Sequence, residues 1–326
     1  MTWLTWRQHR VQLYIAAALL AAFAVVIVIT GQDIAAQFRS ATASCAAGHG
    51  CRQLGGLFMG SHVVGFLVIA TLAAPLLVGM FWGAPLVAAE LDTGTARFAW
   101  MQSVTRKRWL AVEVGWMLLA AAIWGAAISV LVTWWSGPDN AQQLDAFKPG
   151  RFDLMGTVPV AYALFAMALG IAAGALLRRV LPAIAVTLAG FIAARALITL
   201  LLRPHYMSAV TVFYNVVSGY TPKGSYWQLS QGILGPNGQP VPQPDNVPYA
   251  FGIPLTSLPA SCAPLGRGAS NPTPACAQAL SHFRAFLTYQ PADRYWTFQG
   301  IETGIFLALT AALIAVTAFV VLRRDA

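Results

Sequence analysis

The sequence predicts an all-α polytopic membrane protein. It has six transmembrane helices, both termini cytoplasmic (N-in/C-in), and a disulfide-bonded extracellular segment between helices five and six. Three observations predict it. Six apolar runs each approach the ~20 residues that a spanning helix needs. Charged residues make up 10% of the 326-residue chain and hydrophobic ones 58%, where a soluble domain carries ~25% charged residues. The basic residues are also unevenly divided between the two sides of the six runs.

The runs cover about Gln12–Thr30, Val63–Val87, Leu110–Trp134, Val158–Leu177, Val180–Leu202 and Thr303–Leu322. With the N-terminus inside, the short inner segments hold Arg7, Arg10, Arg97, Arg106, Lys107, Arg108, Arg178, Arg179, Arg323 and Arg324. The outer segments are several times longer and hold no more. That bias sets the orientation. It also gives the net charge of +9 a membrane origin. No RNP-like, zinc-finger or helix-turn-helix pattern favours nucleic acid.

The opening MTWLTWRQHR places Trp3 and Trp6 on one helix face, with Arg7 and Arg10 at lipid-phosphate height. It reads as a short interfacial helix; a disordered basic start is the plainer alternative. The first run is long for a signal peptide, and no small-x-small site follows Thr30 directly. Cys45 lies too far beyond the run to be a lipoprotein cysteine. Residues 1–30 thus hold the interfacial helix and the first span, and 31–62 an extracellular loop. Residues 63–135 hold the second and third spans around a cytoplasmic loop at 88–109. A second extracellular loop, 136–157, precedes the fourth and fifth spans at 158–202. An ectodomain fills 203–298, and 299–326 forms the sixth span and C-terminus.

Within the ectodomain, YWQLSQGILGPNGQPV reads either as a β-hairpin turning near Asn237–Gly238 or as a mobile loop. A helix is expected over Ala275–Leu287. Tyr289, Tyr295 and Trp296 suit the outer interface. All four cysteines fall outside: Cys45, Cys51, Cys262 and Cys276. An even count in an oxidising compartment implies disulfides, with three possible connectivities. Local pairing is the simplest. No histidine stands at ligand spacing from either pair, so no metal is expected.

Walker A, GxSxG, HExxH and CxxC motifs are all missing, and the five histidines are scattered. The chain is expected to have no catalytic residues and no cofactor of its own. The informative stretch is ELDTGTARFAWMQSVTRKRWLAVE, Glu90 to Glu113. An acid–Gly–Thr patch opens it (Glu90, Leu91, Asp92, Thr93, Gly94, Thr95). A short semi-apolar run with Phe98, Trp100 and Met101 follows. Arg106, Lys107 and Arg108 then sit at the headgroups. An ordinary basic loop accounts for the three cations but not for the first two parts. The middle is too short to span and suits docking into a partner's groove.

This stretch resembles the first cytoplasmic loop of type-2 ABC exporter permeases. It is especially similar to the actinobacterial branch associated with antibiotic and multidrug transport. The MTWLTWRQHR start, FWGAPL at Phe81–Leu86, YQPADRYWTFQGIE and the six-span layout are also similar to that family. The resemblance covers nearly the whole chain. It implies a plasma-membrane permease subunit that pairs with a second permease copy or homologue. A separate P-loop ATPase below would carry ATP and Mg. Glu90 to Met101 would form the coupling element, with Arg106, Lys107 and Arg108 anchoring it. The expected cargo is hydrophobic or amphipathic: a drug, antibiotic, peptide or lipid. Its path would run beside the second span, past Met80, Phe81 and Trp82, although core packing is the commoner role for any one of them.

Three ionisable residues lie in or near the runs: Glu113, Arg195 and Glu302. The resembled branch leads one to expect a basic residue at 113, and the departure leaves homodimer and heterodimer both open. Glu113 would pair with Arg106, Arg108 or a partner chain. Arg195 is expected to pair with Glu302, or else to touch substrate. Two other classes remain: a polytopic membrane enzyme with an outer active site, and a non-transporting sensor or assembly protein using the ectodomain.

Overall fold

The structure, a computed structural model, describes residues 2–46, 62–92, 105–137, 147, 150–224, 226–244, 249–265 and 272–323. The chain forms two compact units. One comprises Met1–Arg203 with Trp296–Ala326, and the other Pro204–Tyr295.

The first unit is helical and, among the described residues, carries six helices long and apolar enough to cross a membrane. Helix α1 runs Thr2–Ala46 without a break. At 1.5 Å per residue it is about 68 Å long, well beyond the ~30 Å of hydrocarbon. The expected boundary between interfacial helix and span is therefore missing, and the loop expected from Gly31 starts as helix. One glycine costs only ~1 kcal/mol in a helix, and the alanines and glutamines that follow are good helix formers.

The second span is α2 (His62–Val78), a π-helical turn at Gly79–Gly83, and α3 (Ala84–Asp92). Ala84 donates its N–H to the Gly79 carbonyl, five residues back. The wider turn lies just before Pro85, whose ring would clash with a carbonyl four residues earlier in a regular helix. Helix α4 (Arg106–Trp135) starts at the Thr105 cap, whose hydroxyl accepts from Arg108 N at 3.4 Å.

Helix α5 (Val158–Leu177) is the hub. Its apolar window is 72% buried, against 11–33% for the other five. Glycines let the second span approach it. A Cβ on Gly170 would lie 2.2 Å from the Gly79 carbonyl oxygen, and one on Gly79 2.3 Å from that of Ala166. Gly79-x-x-x-Gly83 and Gly170-x-x-x-Gly174 thus act as small-residue packing motifs. A two-residue turn, Arg178–Arg179, leads to α6 (Val180–Leu197). A second π-helical turn, Ile198–Leu202, and a 3₁₀ turn, Arg203–His205, follow.

The second unit departs from the all-α expectation, because it is built on a sheet. Strands β1 (Val210–Asn215), β5 (Arg284–Gln290) and β2 (Trp227–Leu234) form an antiparallel sheet with β5 in the middle. The turn expected near Asn237–Gly238 is present, with Gly238 N donating to Gly235 O at 2.9 Å and Gly238 at φ +72°. The return strand is a single bridge, Leu234 to Pro240. Pro240 and Pro242 lack ladder donors, so this pairing stays short, with Val241 N donating to Ile233 O at 2.8 Å, and the long partner of β2 is β5.

The helix expected over Ala275–Leu287 is also corrected. Helix α7 covers only Pro274–Leu280, and β5 begins at Arg284. From Arg284 to Tyr289, RAFLTY alternates between less buried and buried positions, which fits a strand. A short hairpin, β3 (Tyr249–Ala250) and β4 (Ile253–Pro254), turns at Phe251–Gly252, both at positive φ. Cys262 and Cys276 are disulfide-bonded at 1.95 Å. They pack with Ile233, Ile253, Leu280, Phe283 and Ala285 in the core of this unit.

Candidate functional site

Of the segment between α4 and α5, residue 147 and residues 150–157 are described, and their apolar side chains fold inward. Phe147, Phe152, Leu154 and Met155 are buried, and the Phe147 and Phe298 rings meet edge to face at 5.0 Å. Its backbone groups need partners once buried. Gln299 of helix α8 (Tyr295–Arg323) supplies four of them. Its amide nitrogen donates to the carbonyls of Phe152 (3.0 Å) and Met155 (3.1 Å). Its oxygen accepts from the N–H groups of Thr157 and Val158 (both 3.1 Å). Ser129 donates to the Gly156 carbonyl at 2.6 Å.

This clamp holds Asp153 against two arginines. Arg203 Nη2 donates to Asp153 Oδ1 at 2.5 Å, and Arg195 Nη2 to Asp153 Oδ2 at 2.8 Å. Arg203 also grips Glu302 of α8 with both Nε (2.8 Å) and Nη2 (2.7 Å). The Tyr162 hydroxyl lies 3.1 Å from Asp153 and in contact with Glu302. The Arg195 guanidinium stacks on the Tyr162 ring at 3.8 Å, and that of Arg203 over Phe152 at 4.5 Å. Two cations and two anions therefore neutralise one another inside the helical unit. Arg203 and Glu302 are fully buried. Burial by itself would raise the Asp153 carboxyl; the Arg195 and Arg203 guanidiniums outweigh it and hold the carboxyl below its usual range.

The local backbone explains how Arg195 and Arg203 converge. Eight residues apart, they would be offset by about 80° on a regular helix. The π-helical turn at Ile198–Leu202 rotates less per residue and brings Arg203 back toward the Arg195 face. Beside the cluster is a cavity of about 10 Å³ lined by Thr71, Pro75, Trp124, Asp153, Tyr162 and Arg195, about the room of one water. Trp124 Nε1, Arg195 Nε and Arg203 Nη1 are buried without a hydrogen-bond partner among the described residues.

The expected Arg195–Glu302 pair is corrected: Arg195 bonds Asp153, Glu302 bonds Arg203, and one network contains all four. Asp153, Tyr162 and Arg203 were not singled out from sequence. Asp153 and Arg203 stood in segments assigned to outer loops, and Tyr162 in an apolar run. The available signal was an acid enclosed by apolar residues in FDLM next to a span.

Glu113 is buried on α4, 4% exposed, beside Leu110 and Val114. Arg106, Lys107 and Arg108 form the first turn of α4. Met80, Phe81 and Trp82 make up most of the π-helical turn; Phe81 is exposed, and Trp82 packs on the core around Met117 and Met167. Glu90, Leu91 and Asp92 close α3. Thr93, Gly94, Thr95, Phe98, Trp100 and Met101 lie outside the described residues, as does Cys51. Cys45 lies in the last turn of α1. Among the described residues, no group of three His, Cys, Asp or Glu could hold a metal ion.

A family model described as "ABC-2 membrane transporter related" matches residues 17–203, more than half of the chain. The chain belongs to the ABC-2 membrane transporter-related family. The matched region holds five of the six candidate spans, the Glu90–Glu113 stretch, and Asp153, Tyr162, Arg195 and Arg203. In this ABC-2 transporter-related chain the fourth member of the charge network, Glu302, comes from outside the matched region. Family and architecture together make it a multi-pass membrane protein of the ABC permease type. No curated protein and no solved structure matches it.

Proposed function

We propose that the chain is the membrane-spanning permease subunit of an ATP-driven exporter in a bacterial plasma membrane, working with a separate P-loop ATPase. The observation that carries this reading is the family match across the first five spans and the loop between the second and third. Helix α3 ends in Glu90, Leu91 and Asp92, and α4 restarts at Arg106. The stretch from Glu90 to Arg108 is acidic at its start, semi-apolar in its middle and basic at its end. Such a segment fits an acceptor groove on a motor at one end and phosphate headgroups at the other.

Nucleotide-driven closure of two ATPases would bias a pair of permeases between inward-open and outward-open states. The second permease is a copy of this chain or a homologue. In this reading both termini are cytoplasmic, and the Cys262–Cys276 bond forms in the oxidising outer compartment. The cargo is hydrophobic or amphipathic. The exposed Phe81 on the π-helical turn suits such a path. The subunit needs no ATP site of its own, since ATP and Mg belong to the partner.

The test co-expresses the chain with its ATPase. Glu90→Arg and Gly94→Pro should each abolish substrate-stimulated ATP hydrolysis while the protein still inserts and accumulates. Unchanged hydrolysis in both variants would remove the coupling role. Co-purification without any ATPase would favour a sensor or assembly protein.

A further inference from the structure

The Pro204–Tyr295 unit contains a cleft of about 520 Å³, within the ~300–1,000 Å³ of small-molecule sites. Its floor follows from strand register. Tyr214, Ala285 and Ile233 stand opposite one another on β1, β5 and β2. The small Ala285 between two larger neighbours leaves a notch in the sheet face. Tyr249, Phe251 and Gly252 of the β3–β4 hairpin form one wall, and Tyr220 another. The hairpin is held in place, because Gln243 Nε2 donates to Gly252 O at 3.3 Å and Tyr249 donates its hydroxyl to Pro244 O at 2.5 Å. Ile253 and the Cys262–Cys276 bond share the core beneath it. The cleft is thus built on covalently and hydrogen-bonded elements.

Its lining has a consistent chemistry. Three tyrosine rings and Phe251 offer π faces, and the Tyr214 and Tyr220 rings lie 5.8 Å apart. The side chains of Tyr214, Gln231 and Thr221 line it and make no hydrogen bond to other described residues. Hydroxyl and amide groups donate and accept at once. No carboxylate, ammonium or guanidinium is among the described lining residues.

We infer that this cleft binds a neutral, hydroxyl-rich ring compound, a saccharide of one or two rings, free or as part of a larger molecule. A sugar hydroxyl is both donor and acceptor, as are the free groups that line the cleft. The C–H face of a pyranose suits the electron-rich face of a tyrosine. A charged ligand would find no counter-charge, and a purely apolar one would leave the glutamine and hydroxyl groups unsatisfied. This inference stands apart from the transport reading, since binding needs no ATPase.

The test uses the full chain in phosphatidylcholine nanodiscs, because maltoside detergents would compete. Saturation-transfer NMR is recorded with cellobiose and N,N′-diacetylchitobiose, with glucose 6-phosphate and naphthalene as comparators. Transfer to the neutral disaccharides is expected, with little to the comparators. Tyr214→Phe and Gln231→Leu should each weaken binding about three- to tenfold, the range of one neutral hydrogen bond. Both variants conserve shape, and an intact Cys262–Cys276 bond by mass mapping verifies the fold. To separate free sugar from a larger glycoside, p-nitrophenyl glucoside is compared with methyl glucoside; either one binding supports the site. Absence of transfer from every neutral saccharide at millimolar concentration overturns it. So does equal binding of the comparators, or binding unchanged in both variants.

Discussion

Arg203 has lost nearly all contact with water, and its charge is held by two carboxylates within 2.8 Å. The pairs themselves add modest net stability, because desolvation offsets much of their attraction. Removing one partner is different, since it strands a buried charge at about 3–5 kcal/mol. Arg203→Met should therefore lower the thermal midpoint of the purified protein markedly, leaving Glu302 uncompensated. Adding Glu302→Gln should recover part of the loss. A single variant as stable as the parent would show that the network is not a structural lock. The same network also joins the α4–α5 segment to α6 and α8, three pieces far apart in sequence.

Among elements, the contact of the second span with α5 is the tightest. Gly79, Gly83, Gly170 and Gly174 place backbone against backbone, and any side chain at 170 meets the Gly79 carbonyl. Gly170→Leu is expected to cost near the top of the ~1–3 kcal/mol range of overpacking. The control is Gly115→Leu on α4, where a Cβ meets nothing within 4 Å. The readouts are the fraction of monodisperse protein and the unfolding midpoint of each. Equal behaviour of the two variants would contradict close helix contact. The glycine pairs were not singled out from the sequence, nor was the π-helical form of the Gly79–Gly83 turn. Pro85 announced a distortion, but its form depended on how α5 packs alongside.

For the whole molecule, the basic-residue bias predicts which unit faces which compartment. With unit two outside, Ser218→Cys should react with a membrane-impermeant maleimide in intact cells. Lys107→Cys should react only after permeabilisation. Both positions are exposed. The reverse pattern would invert the topology and separate the Glu90–Glu113 stretch from a cytoplasmic motor.

Six spans and the Arg178–Arg179 turn were legible in the sequence. Length and hydropathy are local properties, and the bilayer imposes them directly on the chain. The partners of Arg195 and Glu302 could not be read the same way. Their choice of Asp153 and Arg203 depends on a phase shift in α6 and on Gln299 clamping a loop nearly 150 residues upstream. The sheet in the second unit was hidden for a similar reason. Its central strand, Arg284–Gln290, pairs with segments 50 to 80 residues earlier, and only that pairing decides between strand and helix for so short a run. The sequence determined which stretches are apolar and long enough to cross a membrane, and the tertiary structure decided which buried charges meet, because a charge buried in apolar surroundings takes whichever counter-charge the packing brings within reach.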